Sequence, residues 1–298
     1  MNSKVLITGS NGLLGQKLVA ILKNDYQILA TSTGENLIED TSQFSYSSLD
    51  ITDFDSVKSL ALSFKPNVII NTAAITNVDG CEDNKELCYD VNVRAVENLS
   101  NICYELNAHL IHISTDFIFD GENGPYREND IANPLSFYGK SKLESELIVK
   151  QSKANSTILR TIILYGTADN LQRNNIVLWG RKALKEGQTL NIIDDQYRSP
   201  TLAEDLAMAC KLVVEKKAFG VYNVSGKDIM SIFEMIGRMA DFYNCSKANI
   251  NRISSDTLNQ KAKRPPKTGF ILDKAINELG YKPHSFEQGL QILENQLQ

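Results

Sequence analysis

The sequence predicts an α/β fold: a doubly wound parallel sheet with a smaller α/β unit after it. Three observations point there. Short apolar runs alternate with longer amphipathic ones through the first half, the pattern of strand–helix–strand crossovers. The apolar runs lack the polar alternation of half-exposed strands, as strands buried on both faces do. A glycine-spaced turn joins the first apolar run to the first amphipathic one.

In chain order, KVLIT at 4–8 is a buried strand, and residues 12–23 carry apolar side chains at helical spacing. YQILAT at 26–31 is a strand, 53–64 a helix and NVIINTAA at 67–74 a strand. Residues 82–106 read as one long helix, HLIHIS at 109–114 as a strand, 138–151 as a helix and STILRTIILYG at 156–166 as a strand. The second half is less regular. Helices are expected over 173–186, 202–215 and 229–243, strands over 189–193 and 220–225, and a short helix from Asp273. The regime changes near residues 165–170. That divides the chain into a first domain, 1–165, and a second, 166–298, some of whose segments return to the first.

The 298 residues suit about two domains. Hydrophobic residues at 42% and charged residues at 22% are ordinary globular values, which excludes wholesale disorder. Lys plus Arg is 31 and Asp plus Glu is 36, a net charge of −5. A mildly acidic chain without a basic run argues against a nucleic-acid partner. No apolar stretch approaches the roughly 18 residues of a membrane span. The N-terminus enters a strand directly with no secretory h-region, and the five cysteines are odd in number with no Cys-x-x-Cys pair. A cytoplasmic location is expected. The histidines, 109, 112 and 284, have no ligand spacing, so no metal site is expected, and His109 and His112 read as core residues of a strand.

The first strand ends in Thr8-Gly9-Ser10-Asn11-Gly12-Leu13-Leu14-Gly15, a G-x-x-G-x-x-G spacing that opens a helix. Glycines allow a tight turn and close approach to a pyrophosphate, and the helix start offers free N–H groups and a positive dipole end. Alone, such spacing is only a glycine-rich turn. Between a first strand and a first helix it marks a Rossmann-like dinucleotide site. No Gly-Lys-Ser/Thr follows, which disfavours a P-loop. After the second strand the chain reads Ala30-Thr31-Ser32-Thr33-Gly34, with no acid before Glu35 to hold a ribose 2′-hydroxyl and no nearby cation for a 2′-phosphate. NADP(H) and NAD(H) both stay open, with a tilt toward NADP(H).

Tyr138 and Lys142 stand at i and i+4 at the start of an expected helix, hence on one face. A nearby ammonium favours a phenolate and is expected to bring the Tyr138 pKa from about 10 toward neutrality, where general acid–base catalysis works. An isolated Tyr-x-x-x-Lys is more often a surface pair. Here it follows a strand whose tail, Ser114-Thr115-Asp116, offers hydroxyls at the carboxyl edge where open α/β sheets bind ligands.

With these motifs in order, the chain resembles the extended short-chain dehydrogenase/reductases, and within them the dTDP-4-dehydrorhamnose reductase family. The narrower resemblance rests on the segments 71–79 with Glu82, Ser114 to Gly121, Pro125-Tyr126 with Glu128, Asn133-Pro134, Leu159-Arg160-Thr161 with Tyr165-Gly166, Asp195-Gln196 with Pro200-Thr201, Gly220 to Asn223 and Arg264-Pro265. It implies NAD(P)H-dependent reduction of the C4 ketone of a nucleotide-linked 4-keto-6-deoxy sugar, with 166–298 mainly a substrate-binding domain. Tyr138 would protonate the carbonyl oxygen, Thr115 would hydrogen-bond it, and Lys142 would tune Tyr138 and hold the nicotinamide ribose. Gly9, Asn11, Gly12, Leu13, Leu14 and Gly15 would wrap the pyrophosphate, Asp50 and Ile51 flank the adenine, and Ala73, Ala74 and Thr76 line the cofactor. Asp116, Phe117 and Arg198 are substrate-side candidates.

The family commonly has Tyr at the place of Phe117, an aromatic near Ile163, and often Gly at the place of Arg198. An arginine there would either grip a diphosphate or lie solvated on the surface. A nucleotide-sugar substrate and a homodimer are the expected partners. Two alternatives stay open: a reductase or epimerase of another sugar nucleotide, and a non-catalytic NADP-binding subunit like the beta subunit of methionine adenosyltransferase.

Overall fold

The structure is a computed structural model that describes residues 3–171 and 174–298. Its strands are β1 (Lys4–Thr8), β2 (Gln27–Ser32), β3 (Phe44–Ser48), β4 (Val68–Asn71), β5 (His109–Thr115), β6 (Ser156–Thr161), β7 (Leu164–Tyr165), β8 (Leu190–Ile193), β9 (Tyr197–Arg198), β10 (Thr201–Leu202), β11 (Gly220–Asn223), β12 (Met230–Ser231) and β13 (Ile250–Ile253). Its α-helices are α1 (Leu13–Leu22), α2 (Phe54–Phe64), α3 (Val78–Asp83), α4 (Lys85–Tyr89), α5 (Ala95–Leu106), α6 (Phe137–Gln151), α7 (Ile176–Lys185), α8 (Ala203–Lys216), α9 (Ile232–Phe242) and α10 (Phe286–Leu297).

Seven strands form one sheet in the order β11-β6-β5-β4-β1-β2-β3, and every pairing in it is parallel. The order reverses at β1, whose neighbours are β2 on one side and β4 on the other. Ligands of doubly wound sheets sit in the crevice at such a reversal. There Thr8 is the register partner of Asn71, and its hydroxyl donates to Asn71 Oδ1 at 2.6 Å.

One apolar core covers one face of the sheet, with Leu14, Leu18 and Leu22 of α1 against Leu206, Ala209 and Val213 of α8. The other face carries Val57 and Ala61 of α2, Val96, Leu99 and Cys103 of α5 and Val149 of α6. A separate core joins Val177 of α7, Leu190 of β8, Met235 and Met239 of α9 and Leu290 of α10 around Tyr165. Residues beyond 165 thus enter both units, since β11 pairs with β6 in the large sheet and α8 packs on α1.

Several expected elements differ. The expected helix over 82–106 is broken. Asn84 leaves helical geometry with φ −131°, and its side chain accepts from Leu87 N to start α4. A π-helical turn at Asp90–Arg94 then leads into α5. The expected strand over 156–166 splits into β6 and β7 around Ile163, whose φ is +28°. β3, β13 and α10 were not expected, and the segment from Asp273 forms a π-helical stretch at Ala275–Leu279. Arg173, where one expected helix begins, lies outside the described residues.

Candidate active site

The glycine loop is shaped by contacts that admit no side chain. Gly9 has φ +69°, and a β-carbon there would lie 2.7 Å from Ala73 N. A β-carbon on Gly15 would lie 2.4 Å from Gly9 O. Gly12 N donates to Gly9 O at 3.0 Å and closes the turn. Gly12 caps α1 without a side-chain hydrogen bond, and the first turn carries no acid. The first N–H groups of α1 are therefore free of a side-chain acceptor and present the positive dipole end beside Leu13 and Leu14. This backbone-lined start of a helix at the sheet's reversal fits a dinucleotide pyrophosphate.

Asn11 supports the loop from within the chain. Its Nδ2 donates to Glu35 O at 2.8 Å, and its Oδ1 accepts from Leu37 N at 3.0 Å. Gln16, which the motif did not mark, donates to Asp169 O at 2.8 Å and accepts from Asp169 N at 2.9 Å, tying α1 to the segment after β7. Asp50 is exposed after β3 and accepts from Thr52 N at 2.9 Å, while Ile51 is buried. Ala73 and Ala74 are half-buried and Thr76 is exposed, on the segment following β4. Asn92 of the π-turn holds that segment, accepting from Ile75 N at 2.9 Å and donating to Ile75 O at 3.0 Å. A buried asparagine in an apparently continuous helix gave no sequence signal of this role.

Tyr138 and Lys142 lie on the buried face of α6, 8% and 2% exposed. Ser136 caps the helix by accepting from Gly139 N at 3.1 Å. Gly139 lets the turn after β5 come close, since a β-carbon there would lie 2.2 Å from Phe117 O. That approach sets the Thr115 hydroxyl near enough to the Tyr138 phenol to pull its pKa down, while the same hydroxyl donates to Asp116 Oδ1 at 3.2 Å. The Phe117 ring packs edge-on to Tyr138 at 5.7 Å.

The electrostatics depart from the expectation of a near-neutral tyrosine. Burial pushes the Tyr138 phenol up, the Thr115 hydroxyl opposes this, and Asp116, Cys81 and Cys88 push it further up. The phenol is held protonated. Burial also lowers Lys142 to about 8, against the pull of Glu146 and Cys88. Among the described residues, the hydrogen-bond partner of Lys142 Nζ is His112 Nε2 at 3.2 Å, not Tyr138.

Arg198 corrects both expectations for it. It is 2% exposed, so it is not a solvated surface residue. Its Nη2 donates to Pro265 O and its Nη1 to Tyr197 O, each at 2.7 Å, and its Nε lies 3.8 Å from Asp116 Oδ2. These donors are engaged by the chain itself and leave no open fork for a diphosphate. Asp116 is buried with it, and Thr268 Oγ1 donates to Asp116 Oδ2. Burial raises the Asp116 carboxyl, and Arg198 and the hydroxyls of Thr268 and Thr115 pull it back.

A protonated phenol beside a hydroxyl, a buried amine one helical turn away and a backbone-lined loop across the sheet edge can donate a proton to a carbonyl oxygen next to a bound dinucleotide. The comparisons agree with that chemistry. Residues 3–298 match the model of the RmlD substrate binding domain family. The chain is 34% identical to dTDP-4-dehydrorhamnose reductase of Aggregatibacter actinomycetemcomitans, over 97% of each chain. It is also 34% identical to methionine adenosyltransferase 2 subunit beta of Xenopus tropicalis, over 85% of this chain and 76% of that one. Among solved structures it resembles dTDP-4-dehydrorhamnose reductase of Clostridium acetobutylicum, with TM-score 0.84, 30% identity and 99% coverage of both chains. The Bacillus anthracis dTDP-4-dehydrorhamnose reductase in complex with NADP matches with TM-score 0.86 and 28% identity, over 99% of this chain and 100% of that one.

Proposed function

The chain belongs to the RmlD substrate binding domain family, and on that premise we propose that it is an NAD(P)H-dependent reductase of a nucleotide-linked 4-keto-6-deoxy sugar. The substrate is dTDP-4-dehydro-L-rhamnose and the product dTDP-L-rhamnose. The observation that carries the activity is the placing of Thr115, at the end of β5, and Tyr138, on the buried face of α6, at the carboxyl edge of the sheet that also holds the glycine loop. Full-length similarity to a dTDP-4-dehydrorhamnose reductase, 97% of both chains, carries the substrate class.

The bound dinucleotide supplies the hydride that reaches C4. Tyr138 gives its phenolic proton to the carbonyl oxygen, and its raised pKa keeps that proton available. Thr115 orients the oxygen. Lys142 carries the positive charge that steadies the phenolate left behind and meets the nicotinamide ribose. Gly9, Gly12, Leu13, Leu14 and Gly15 hold the pyrophosphate through backbone N–H groups, with Asn11 bracing them. Ala73, Ala74 and Thr76 line the cofactor, and Asp50 and Ile51 flank the adenine. Residues 1–165, with α8 and β11, form the cofactor unit, and most of 166–298 forms the sugar-nucleotide unit. No helix of the described residues is long and apolar enough to cross a membrane. A cytoplasmic location goes with this activity and with five unpaired cysteines. Leu87 of α4 and Leu147 of α6 are exposed apolar residues that a homodimer would cover.

The test is NAD(P)H oxidation by the purified protein, followed at the nicotinamide absorbance, with the ketosugar nucleotide as substrate. Turnover with it, and none with dTDP-glucose, supports the assignment. A folded sample that binds NADPH, turns over no ketosugar and co-purifies with an adenosyltransferase would move the protein to the regulatory reading that the 34% identity with the beta subunit supports. That match leaves about a quarter of the subunit uncovered, 76% against 97% for the reductase, which is why the reductase stands first.

A further inference from the structure

His112 enters the sequence as a core residue of a strand, and nothing in the reaction above uses it. It lies on β5 between the catalytic lysine and the start of the glycine loop. Its Nε2 is 3.2 Å from Lys142 Nζ and 3.0 Å from Ser145 Oγ. Its Nδ1 is 3.3 Å from the side-chain amide of Asn71. Asn71 in turn accepts from the Thr8 hydroxyl at 2.6 Å, and Thr8 directly precedes Gly9. The ring is 1% exposed.

We propose that His112 is a positioning residue for the lysine: its neutral imidazole, protonated on Nδ1, holds the Lys142 amine in place through Nε2. The inference rests on the reductase reading for its consequence in turnover, but not for its consequence in cofactor binding. Burial and the Lys142 charge both push the imidazole well below its ordinary range, so the ring stays uncharged and presents one acceptor nitrogen. An ammonium has three donors and no acceptor, and buried donors need partners. With Lys142 2% exposed and His112 its hydrogen-bond partner among the described residues, removing the ring leaves a buried cation without an acceptor. That cation then gives up its proton more easily.

The charged groups around the amine come from every side. Glu146 and Tyr138 lie on its own helix and Cys88 on α4. Asp116 on the turn after β5 and Cys81 on α3 bear on Tyr138, and Arg160 on β6 engages Glu146 at 2.7 Å. None of these supplies Nζ with a hydrogen bond, so they remain constant when only His112 changes.

The experiment measures NADPH binding by fluorescence titration from pH 6 to 10, without sugar, in wild type, His112→Leu, His112→Asn and His112→Gln, and then kcat and KM with the ketosugar. Wild-type binding is expected to weaken as Lys142 loses its charge above a pH of about 8. In His112→Leu and His112→Asn that fall moves down by about one pH unit, the scale of a lost charge-assisted hydrogen bond. In His112→Gln, whose amide oxygen reaches the place of Nε2, it returns toward wild type. In turnover, kcat falls by about tenfold or more while the sugar KM moves little, since no substrate contact changes. If His112→Leu fails to fold, His112→Asn, too short to reach Nζ but polar toward Asn71, decides the same point. Variants whose binding and turnover drop equally at all pH values, with an unmoved basic fall, would overturn the proposal and leave His112 a packing residue. A shifted binding profile in a protein that turns over no ketosugar would uphold it while removing the reductase reading.

Discussion

Gly9 faces the backbone of Ala73 so closely that a β-carbon on it would sit 2.7 Å from the Ala73 nitrogen. The two residues follow β1 and β4, the neighbouring strands at which the sheet order reverses. The contact therefore joins the two walls of the cofactor crevice. Gly9→Ala must both adopt φ +69° and push one wall from the other. The expected result is a loss of about 1–3 kcal/mol in stability, on the scale of backbone strain and overpacking, and NADPH binding weakened by more than about tenfold. Gly34→Ala is the control. It also has positive φ but no atom within 4 Å of its added carbon, so it should lose stability without an equal loss of binding. Urea unfolding and NADPH titration of both variants check this.

Tyr138→Phe removes the proton donor and little else, because the ring's edge-on contact with Phe117 remains. Turnover should fall by about 10²–10⁴-fold, the usual share of a general acid, with NADPH affinity within about twofold. Thr115→Ala should cost less, because a neighbouring hydroxyl or water replaces part of its hydrogen bond. Steady-state kinetics on folded variants separates them. A Tyr138→Phe enzyme with wild-type turnover would take Tyr138 out of the reaction.

How much of this was legible in the sequence follows from where the signals lie. β1, β2, β4 and β5 are buried on both faces and read directly as apolar runs. β3 was missed because Phe-Ser-Tyr-Ser-Ser is polar, and an edge strand needs only one apolar side. The break at Asn84 is a capping event, and helical periodicity over 82–106 conceals it because Cys88 and Asn92 keep the spacing. At the site, the spacing of Tyr138 and Lys142 sufficed to place them on one buried face. The pKa of Tyr138 did not follow from spacing, because burial outweighs a charge whose hydrogen-bond partner is elsewhere. Arg198 and Asp116 lie 82 positions apart, and no local pattern announces a pairing at that separation.

Arg198→Met tests that pairing. It removes the guanidinium that faces Asp116 at 3.8 Å and leaves a buried carboxylate. Breaking one side of a buried pair costs about 3–5 kcal/mol. Burial already raises the folded-state pKa of Asp116, with Arg198 pulling it back, so the variant raises it further. A carboxyl raised on folding loses stability as pH climbs from its unfolded value through its folded value, because the unfolded chain releases the proton first. The deficit of Arg198→Met against wild type should therefore be larger at pH 8 than at pH 5. Adding Asp116→Asn should recover much of it. Urea midpoints at the two pH values check both statements, and equal deficits at the two would dissociate Asp116 from the loss.

His109 predicts how the protein responds to acid. Burial lowers its pKa from 6.5 to about 4, and its Nε2 donates as a neutral ring to Thr157 Oγ1 at 2.7 Å, with Phe219 edge-on at 4.8 Å. Above pH 6.5 the ring is neutral in both folded and unfolded chains and contributes no pH dependence. As pH falls from 6.5 toward 4 the unfolded chain takes a proton that the folded one refuses, so stability declines by up to about 1.4 kcal/mol per pH unit. His112, held well below its ordinary range by burial and Lys142, adds the same sign. Replacing His109 with Gln keeps a donor for Thr157 and removes the titration. Its urea midpoint should therefore fall less steeply than wild type between pH 6.5 and 4, and the two should run parallel above pH 7. A His109→Gln profile parallel to wild type through the acid range would mean that His109 stays uncharged in the unfolded chain as well, or is charged in both.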